Sequence, residues 1–150
     1  AVFQALTADV DAWWPQREQA GSRMVLEGVV NGRFYERFDD ADRGVLLGVV
    51  TLIKPREQIR FSGPLGIADK AAISSVSWVL EPDGPRTTLH VQHALFGDVD
   101  EVTRDACLNW WREVMGHYLA RYLVSEPRRW YQDDTETGHG LARKSTDKVA

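Results

Sequence analysis

Residues 76–95 carry the pattern that most narrows the fold. Val76, Trp78 and Leu80 alternate with Ser77 and Val79, and the turn residues Pro82-Asp83-Gly84-Pro85 follow. Beyond the turn, Leu89, Val91, His93 and Leu95 alternate with Thr88, His90, Gln92 and Ala94. A period of two puts each set on one face of a strand, and the turn folds the strands into an antiparallel hairpin with one inward face. Similar runs occupy residues 24–30, 33–38, 45–53 and 58–62. They are separated by Asn31-Gly32, by Asp39-Asp40-Ala41-Asp42 and by Lys54-Pro55-Arg56. Asn31-Gly32 predicts a two-residue hairpin, because both positions tolerate positive φ. Phe34, Glu36 and Phe38 share one face of their strand, with Tyr35 and Arg37 on the other.

The period changes at both ends of these strands. Val2, Phe3, Leu6, Val10, Trp13 and Trp14 recur at spacings of three and four, and Pro15 ends the run. Thr7 and Asp9 each suit a helix start, so the segment reads as one helix or as two short ones. Residues 99–124 read as the longest helix, with Cys107, Trp110, Trp111, Val114, Met115, Tyr118 and Tyr122 on one broad stripe. Asn109, Arg112, Glu113 and Gly116 face away. Residues 63–72 break the strand pattern and are long enough for a lid or a pocket rim. Strands grouped in this order do not alternate with helices, so the fold class is α+β, a curved antiparallel sheet with a helix lying across it.

A chain of 150 residues is one domain on the usual prior, with a core that needs no disulfide or metal. The net charge of −4 lacks the basic surplus that replaces counterions on nucleic acid, so nucleic acid is not an expected partner. No apolar run is long enough to span a membrane, and the expected location is cytoplasmic. Cys107, the single cysteine, forms no internal disulfide and no thiolate metal site. The domain is expected over residues 1–124, and residues 125–150 read as a polar C-terminal extension that Trp130-Tyr131 could anchor.

In this order the segments resemble a known superfamily. VFQALTADVDAWWP (2–15) resembles the "VFxALTDPxxLxxWW" opening of the SRPBCC superfamily, also called START-like or helix-grip. NGRFYER (31–37) is similar to its G-G-x-F turn and strand, with Asn31 in place of the first Gly. GVVTLIKPREQIRFS (48–62) and VSWVLEPDGPRTTLHVQHALF (76–96) resemble its central strands, with Arg56 at a Pro position and Ser62 where Trp is common. WREVMGHYLARYL (111–123) resembles the closing helix, with Trp110 replacing a Gly. The nearest branch is that of homologues of the heat-shock-protein-90 ATPase activator. The resemblance implies a helix-grip fold, with the sheet wrapped around the long C-terminal helix, short N-terminal helices and a cavity between sheet and helix. Family members also carry a strand before the first helix, which is not seen here. The segment 125–132, or a partner chain, is therefore expected near the strands at 26–30 and 89–95.

Candidate chemistry is sparse. His90 and His93 lie three apart on a strand, hence on opposite faces, and cannot chelate together. His117 and His139 have no partner at metal-ligand spacing, so no metal is expected, and no cofactor. Cys107 sits on the apolar stripe as a packing residue, and the serines show no nucleophile motif. Asp39-Asp40-Asp42 reads as a solvated turn, and Arg33, Glu36 and Arg37 as a solvated strand face. The aromatic surplus remains: six Trp beside five Phe and four Tyr. Trp14, Phe34, Phe38, Phe61, Trp78, His93, Trp111, Met115 and Tyr118 are the candidate ligand-binding set, lining a cavity or filling it as core. The leading expectation is a non-catalytic domain binding a small hydrophobic or lipid-like ligand. The resemblance adds a co-chaperone-like interaction protein, with a chaperone partner or a homodimer. It also adds a polyketide cyclase/dehydratase-like enzyme with His93 as acid/base, the one residue to carry catalysis if any does.

Overall fold

The structure is a computed structural model that describes residues 1–125 and the two strand residues Lys148–Val149. Two short helices come first, α1 (Val2–Leu6) and α2 (Val10–Trp13). Thr7 ends α1, returning its hydroxyl to Phe3 O at 2.9 Å. Trp13 donates its indole N–H to Ala5 O, tying α2 back onto α1. The aromatic pair at 13–14 is thereby turned inward, and both rings are buried.

Six antiparallel strands follow as a meander: β1 (Arg23–Leu26), β2 (Arg33–Arg37), β3 (Gly44–Lys54), β4 (Gln58–Gly63), β5 (Ala72–Asp83) and β6 (Arg86–Gly97). A two-residue strand, β7 (Lys148–Val149), pairs in parallel with Arg86 and Thr87 on the outer side of β6. The chain thus forms an α+β fold with a curved antiparallel sheet. Register shifts in β2 and β3, at Phe34/Tyr35 and Val50/Leu52, mark bulges, which bend a sheet. Gly48 and Gly63 let β3 and β4 approach closely there. A Cβ on Gly48 would stand 2.7 Å from the Phe61 ring, and one on Gly63 would stand 2.6 Å from Gly48 Cα.

Two turns depart from expectation. β1 ends at Leu26, and residues 27–32 form a wider loop in place of a two-residue hairpin. Asn31 alone takes positive φ (65°), its N–H donating to Val50 O at 2.9 Å, and Val29 and Val30 stay exposed. Apolar character alone made that loop look like strand. Residues 64–71 are a wall and not a lid, because Leu65 and Ile67 are buried and Leu65 N–H donates to Leu47 O.

The C-terminal helix runs as α3 (Glu101–Glu113), a π-helical turn (Val114–Leu119) and α4 (Ala120–Ser125). Asp100 caps α3, its side chain accepting from Thr103 N–H at 2.8 Å. The π turn inserts a residue into the helical repeat, which rotates everything after it. Trp111, Val114, Met115 and Leu119 are therefore the buried residues, and Tyr118, expected inward, is exposed. Among the described residues no helix is long and apolar enough to cross a membrane. Of the segment expected near the sheet edges, residues 126–132 lie outside the described residues, and so does the Trp130-Tyr131 anchor.

Candidate functional site

The aromatic candidates separate into a filled core and its rim. Trp14, Phe34, Phe61, Trp78 and Trp111 close a circuit of edge-to-face contacts. Their centroids stand 5.0 Å apart for Trp14–Phe34, 5.3 Å for Phe34–Phe61, 5.1 Å for Phe61–Trp78, 6.0 Å for Trp78–Trp111 and 6.3 Å for Trp111–Trp14. Rings prefer this geometry, at about 0.5–1.5 kcal/mol per pair beyond the area they bury. Met115 is buried in the same cluster. Between sheet and helix these candidates fill the space. Within this core Trp78 Nε1 is buried and has no hydrogen-bond partner.

Two candidates stand apart. Phe38 follows the end of β2 and is only half-buried. Tyr118 faces a shallow groove of about 660 Å³ between α2 and α4, shared with Trp13 and Tyr122.

His93 sits where the filled core meets open space. Trp111 Nε1–H donates to His93 Nδ1 at 2.9 Å. An indole nitrogen only donates, so Nδ1 is unprotonated and Nε2 carries the hydrogen. That hydrogen points to Ser74 Oγ at 2.6 Å, and Ser74 Oγ–H donates in turn to Leu65 O at 2.8 Å. One chain of bonds thus joins helix α3, strands β6 and β5, and the 64–71 loop. Burial pushes the His93 pKa below its ordinary value, so the neutral ring is the favoured form. Both ring nitrogens are spoken for. The tautomer also makes Nε2 a donor toward Ser74, so the imidazole does not act as a base on that buried hydroxyl.

Beyond His93 and Trp111 a cleft of about 480 Å³ opens between β6 and α3. Its sheet wall is Leu89, Val91 and Leu95, and its helix wall includes Leu108 and Cys107. Arg104, Asp105 and Arg112 stand on the helix wall, with Arg104 Nη2 3.6 Å from Asp105. Volumes of about 300–1,000 Å³ with mostly apolar walls and few polar groups are typical of ligand sites. Cys107 is half-buried and its thiol pKa is pushed up by burial, which keeps it protonated and inert. Of the expected ligand-binding set, the cleft includes His93 and Trp111 alone. The β6 residues that form its wall were legible as an inward face, but nothing in their spacing separated lining from filling.

Glu36, expected on a solvated face, is buried. Its carboxylate accepts from Glu18 N–H at 2.8 and 2.9 Å, Gln19 N–H at 3.1 Å and Ser22 Oγ at 2.6 Å. Burial raises its pKa, but these donors outweigh that and hold it below the usual carboxylate value. The alternation with Phe34 and Phe38 was the sequence signal for its inward side chain. Glu36 ties the 15–22 loop to β2 and so fixes Trp14 against Phe34. Arg33 remains at the surface but is not free. It pairs with Asp42 at 2.7 Å and Glu27 at 3.1 Å, and its guanidinium lies 4.2 Å from the Tyr35 ring centroid. Among the described residues no group of three or more His, Cys, Asp and Glu is placed to hold a metal ion. Compared with known proteins, the chain matches no family model, no curated protein and no solved structure.

Proposed function

We propose that this chain is a non-catalytic binding domain of the helix-grip kind, taking an apolar ligand in the cleft between β6 and α3. The observation that carries this reading is the cleft itself, about 480 Å³ with Leu89, Val91, Leu95 and Leu108 as its apolar walls. It lies at the rim of the core and not at its centre, where the rings already touch. The order of the motifs over residues 2–123, which resembles that of the helix-grip superfamily and in particular its heat-shock-protein-90 ATPase activator homologues, supports this reading.

The engagement of both His93 nitrogens counts against a cyclase/dehydratase role, which needs a ring nitrogen free to move a proton. The interaction reading is favoured by one observation, the outer edge of β6, which among the described residues is paired only at Arg86 and Thr87.

Titration with 1-decanol, read by tryptophan fluorescence, tests the cleft because Trp111 forms part of its wall. A saturable change is expected, weakened about tenfold or more in Leu108→Arg, which places a charge on the apolar wall. An unsaturable response in the native chain, or an unchanged one in the variant, overturns the reading.

A further inference from the structure

The outer edge of β6 runs along the mouth of this cleft. Asp98 N–H donates to Ala71 O at 3.0 Å, on the β5 side. The β5–β6 register continues unbroken from Ala72↔Gly97 to Asp83↔Arg86. In an antiparallel ladder successive residues turn their main-chain groups to opposite edges. The even-numbered residues of β6 therefore bond toward β5, and Leu89, Val91, His93 and Leu95 present N–H and C=O outward. Their side chains are the same ones that form the sheet wall of the cleft. Among the described residues this edge is paired at Arg86 and Thr87, by Lys148–Val149, and not beyond.

A row of outward main-chain donors and acceptors beside an apolar cleft is a demand that a hydrocarbon does not meet. Another main chain meets it, because an added strand satisfies the edge while its alternate side chains drop onto one face. β7 already makes this contact over two residues, so the edge left open among the described residues continues an existing pairing. On the helix wall Arg104 is partnered by Asp105, while Arg112 adds a second positive charge at the rim.

We propose that the edge of β6 from Leu89 to Leu95 receives an extended peptide segment as an added strand, with alternate apolar side chains in the β6–α3 cleft and an acidic residue toward Arg112. The proposal rests on the cleft being the binding site and names the class of its ligand. The added strand lies about 4.8 Å from β6, and pairing from Leu89 to Leu95 spans roughly 20 Å of it.

The test uses the full chain and a labelled peptide, Val-Thr-Val-Thr-Val-Thr-Glu, whose Glu shares the Val face and so can reach Arg112, read by fluorescence anisotropy. Two analogues carry backbone N-methyl groups, one at every Val and at Glu and the other at every Thr. Whichever direction the strand runs, one set of nitrogens faces β6 and the other faces solvent. The parent is expected to bind, with one analogue weakened about tenfold or more and the other within about twofold of it. Equal binding of both analogues and the parent overturns the edge pairing, as does failure of the peptide to bind while 1-decanol still does; both leave the cleft reading intact. Failure of the peptide and of 1-decanol together overturns both. A concentration-dependent dimer in sedimentation, dissociated by neither peptide nor analogue, assigns the edge to a second copy and overturns the peptide.

Discussion

Strands β5 and β6 are register partners beneath one helix, yet their inward side chains are packed differently. Ser74, Val76, Trp78 and Leu80 of β5 are buried, while the residues directly opposite them, Leu95, His93, Val91 and Leu89, are half-buried. Chemistry does not explain this, since the β6 set is as apolar as the β5 set. Position does. From Ser74 to Val79, β5 is flanked by β4 on one side and β6 on the other, and among the described residues β6 has β5 on its inner side and only two residues of β7 on its outer side. An inward side chain is sealed by the strands that flank it, so the last long strand keeps a face that is apolar and reachable. Cohesion and recognition thus occupy adjacent columns of one hairpin.

The sharpest way to break this comparison is to remove a ring from the sealed column. Trp78 is fully buried and touches Phe34, Phe61 and Trp111. Trp78→Ala is expected to cost about 3–5 kcal/mol in urea unfolding, as large-to-small changes at such rings do. A cost below about 1 kcal/mol would mean that the circuit is loosely packed and that β5 is no more sealed than β6. The unpartnered Nε1–H adds a refinement. An orphaned buried donor costs about 1–3 kcal/mol, so Trp78→Phe is expected to lose less than the lost ring volume implies.

A smaller effect is expected at the seam between the columns, where pH is the probe. The folded state lowers the His93 pKa, so the unfolded chain binds the proton more readily. Stability is then full above the ordinary histidine value of about 6.5 and declines as pH falls toward the lowered folded value. The physical event is the loss of the Trp111 N–H···Nδ1 bond, because a protonated ring presents a donor to a donor. Cys107, Arg104, Asp105 and Arg112 on the helix wall and Ser74 on β5 are the other polar groups at this seam. Glu36 acts lower, since its depressed carboxyl contributes stability above about pH 4.3 that is lost as pH falls through its folded value. Melting temperature against pH is expected to fall in two stages, and His93→Phe is expected to remove the upper stage only. Persistence of that upper stage in the variant would assign it to another group.

These contrasts also mark how far the sequence could be read. Apolar runs between turn signals, with period-two alternation at 33–38 and 76–95, located the six meander strands, though 27–30 were included in the first of them in error, and the three- and four-residue spacing located the helices. The inward faces of β5 and β6 followed from the same rule. Whether an inward face is sealed depends on neighbours distant in sequence, so Leu89, Val91 and Leu95 looked the same as Val76 and Trp78. Tyr118 was misplaced for a local reason: a π turn keeps helical composition while advancing the phase by one residue, which moves Leu119 inward in its place. Glu36 was misread because a carboxylate on an inward face is sustained by donors on the 18–22 loop, whose folding no periodicity reports.

The smallest expected effect on stability falls on the open column and decides the most about function. Leu108 lies on the helix wall of the cleft and is 51% exposed, against 5% for Trp111 three residues on. Surface substitutions away from special features shift stability by about 0.5 kcal/mol or less. Leu108→Ser is therefore expected to unfold at nearly the native urea midpoint while 1-decanol affinity falls severalfold. Half of that result is not enough. An unchanged midpoint with unchanged affinity would make the cleft an inert gap at the sheet's edge. A midpoint shift approaching that of Trp78→Ala would show that β6 and α3 are sealed together in solution, and the contrast between the two columns would fail.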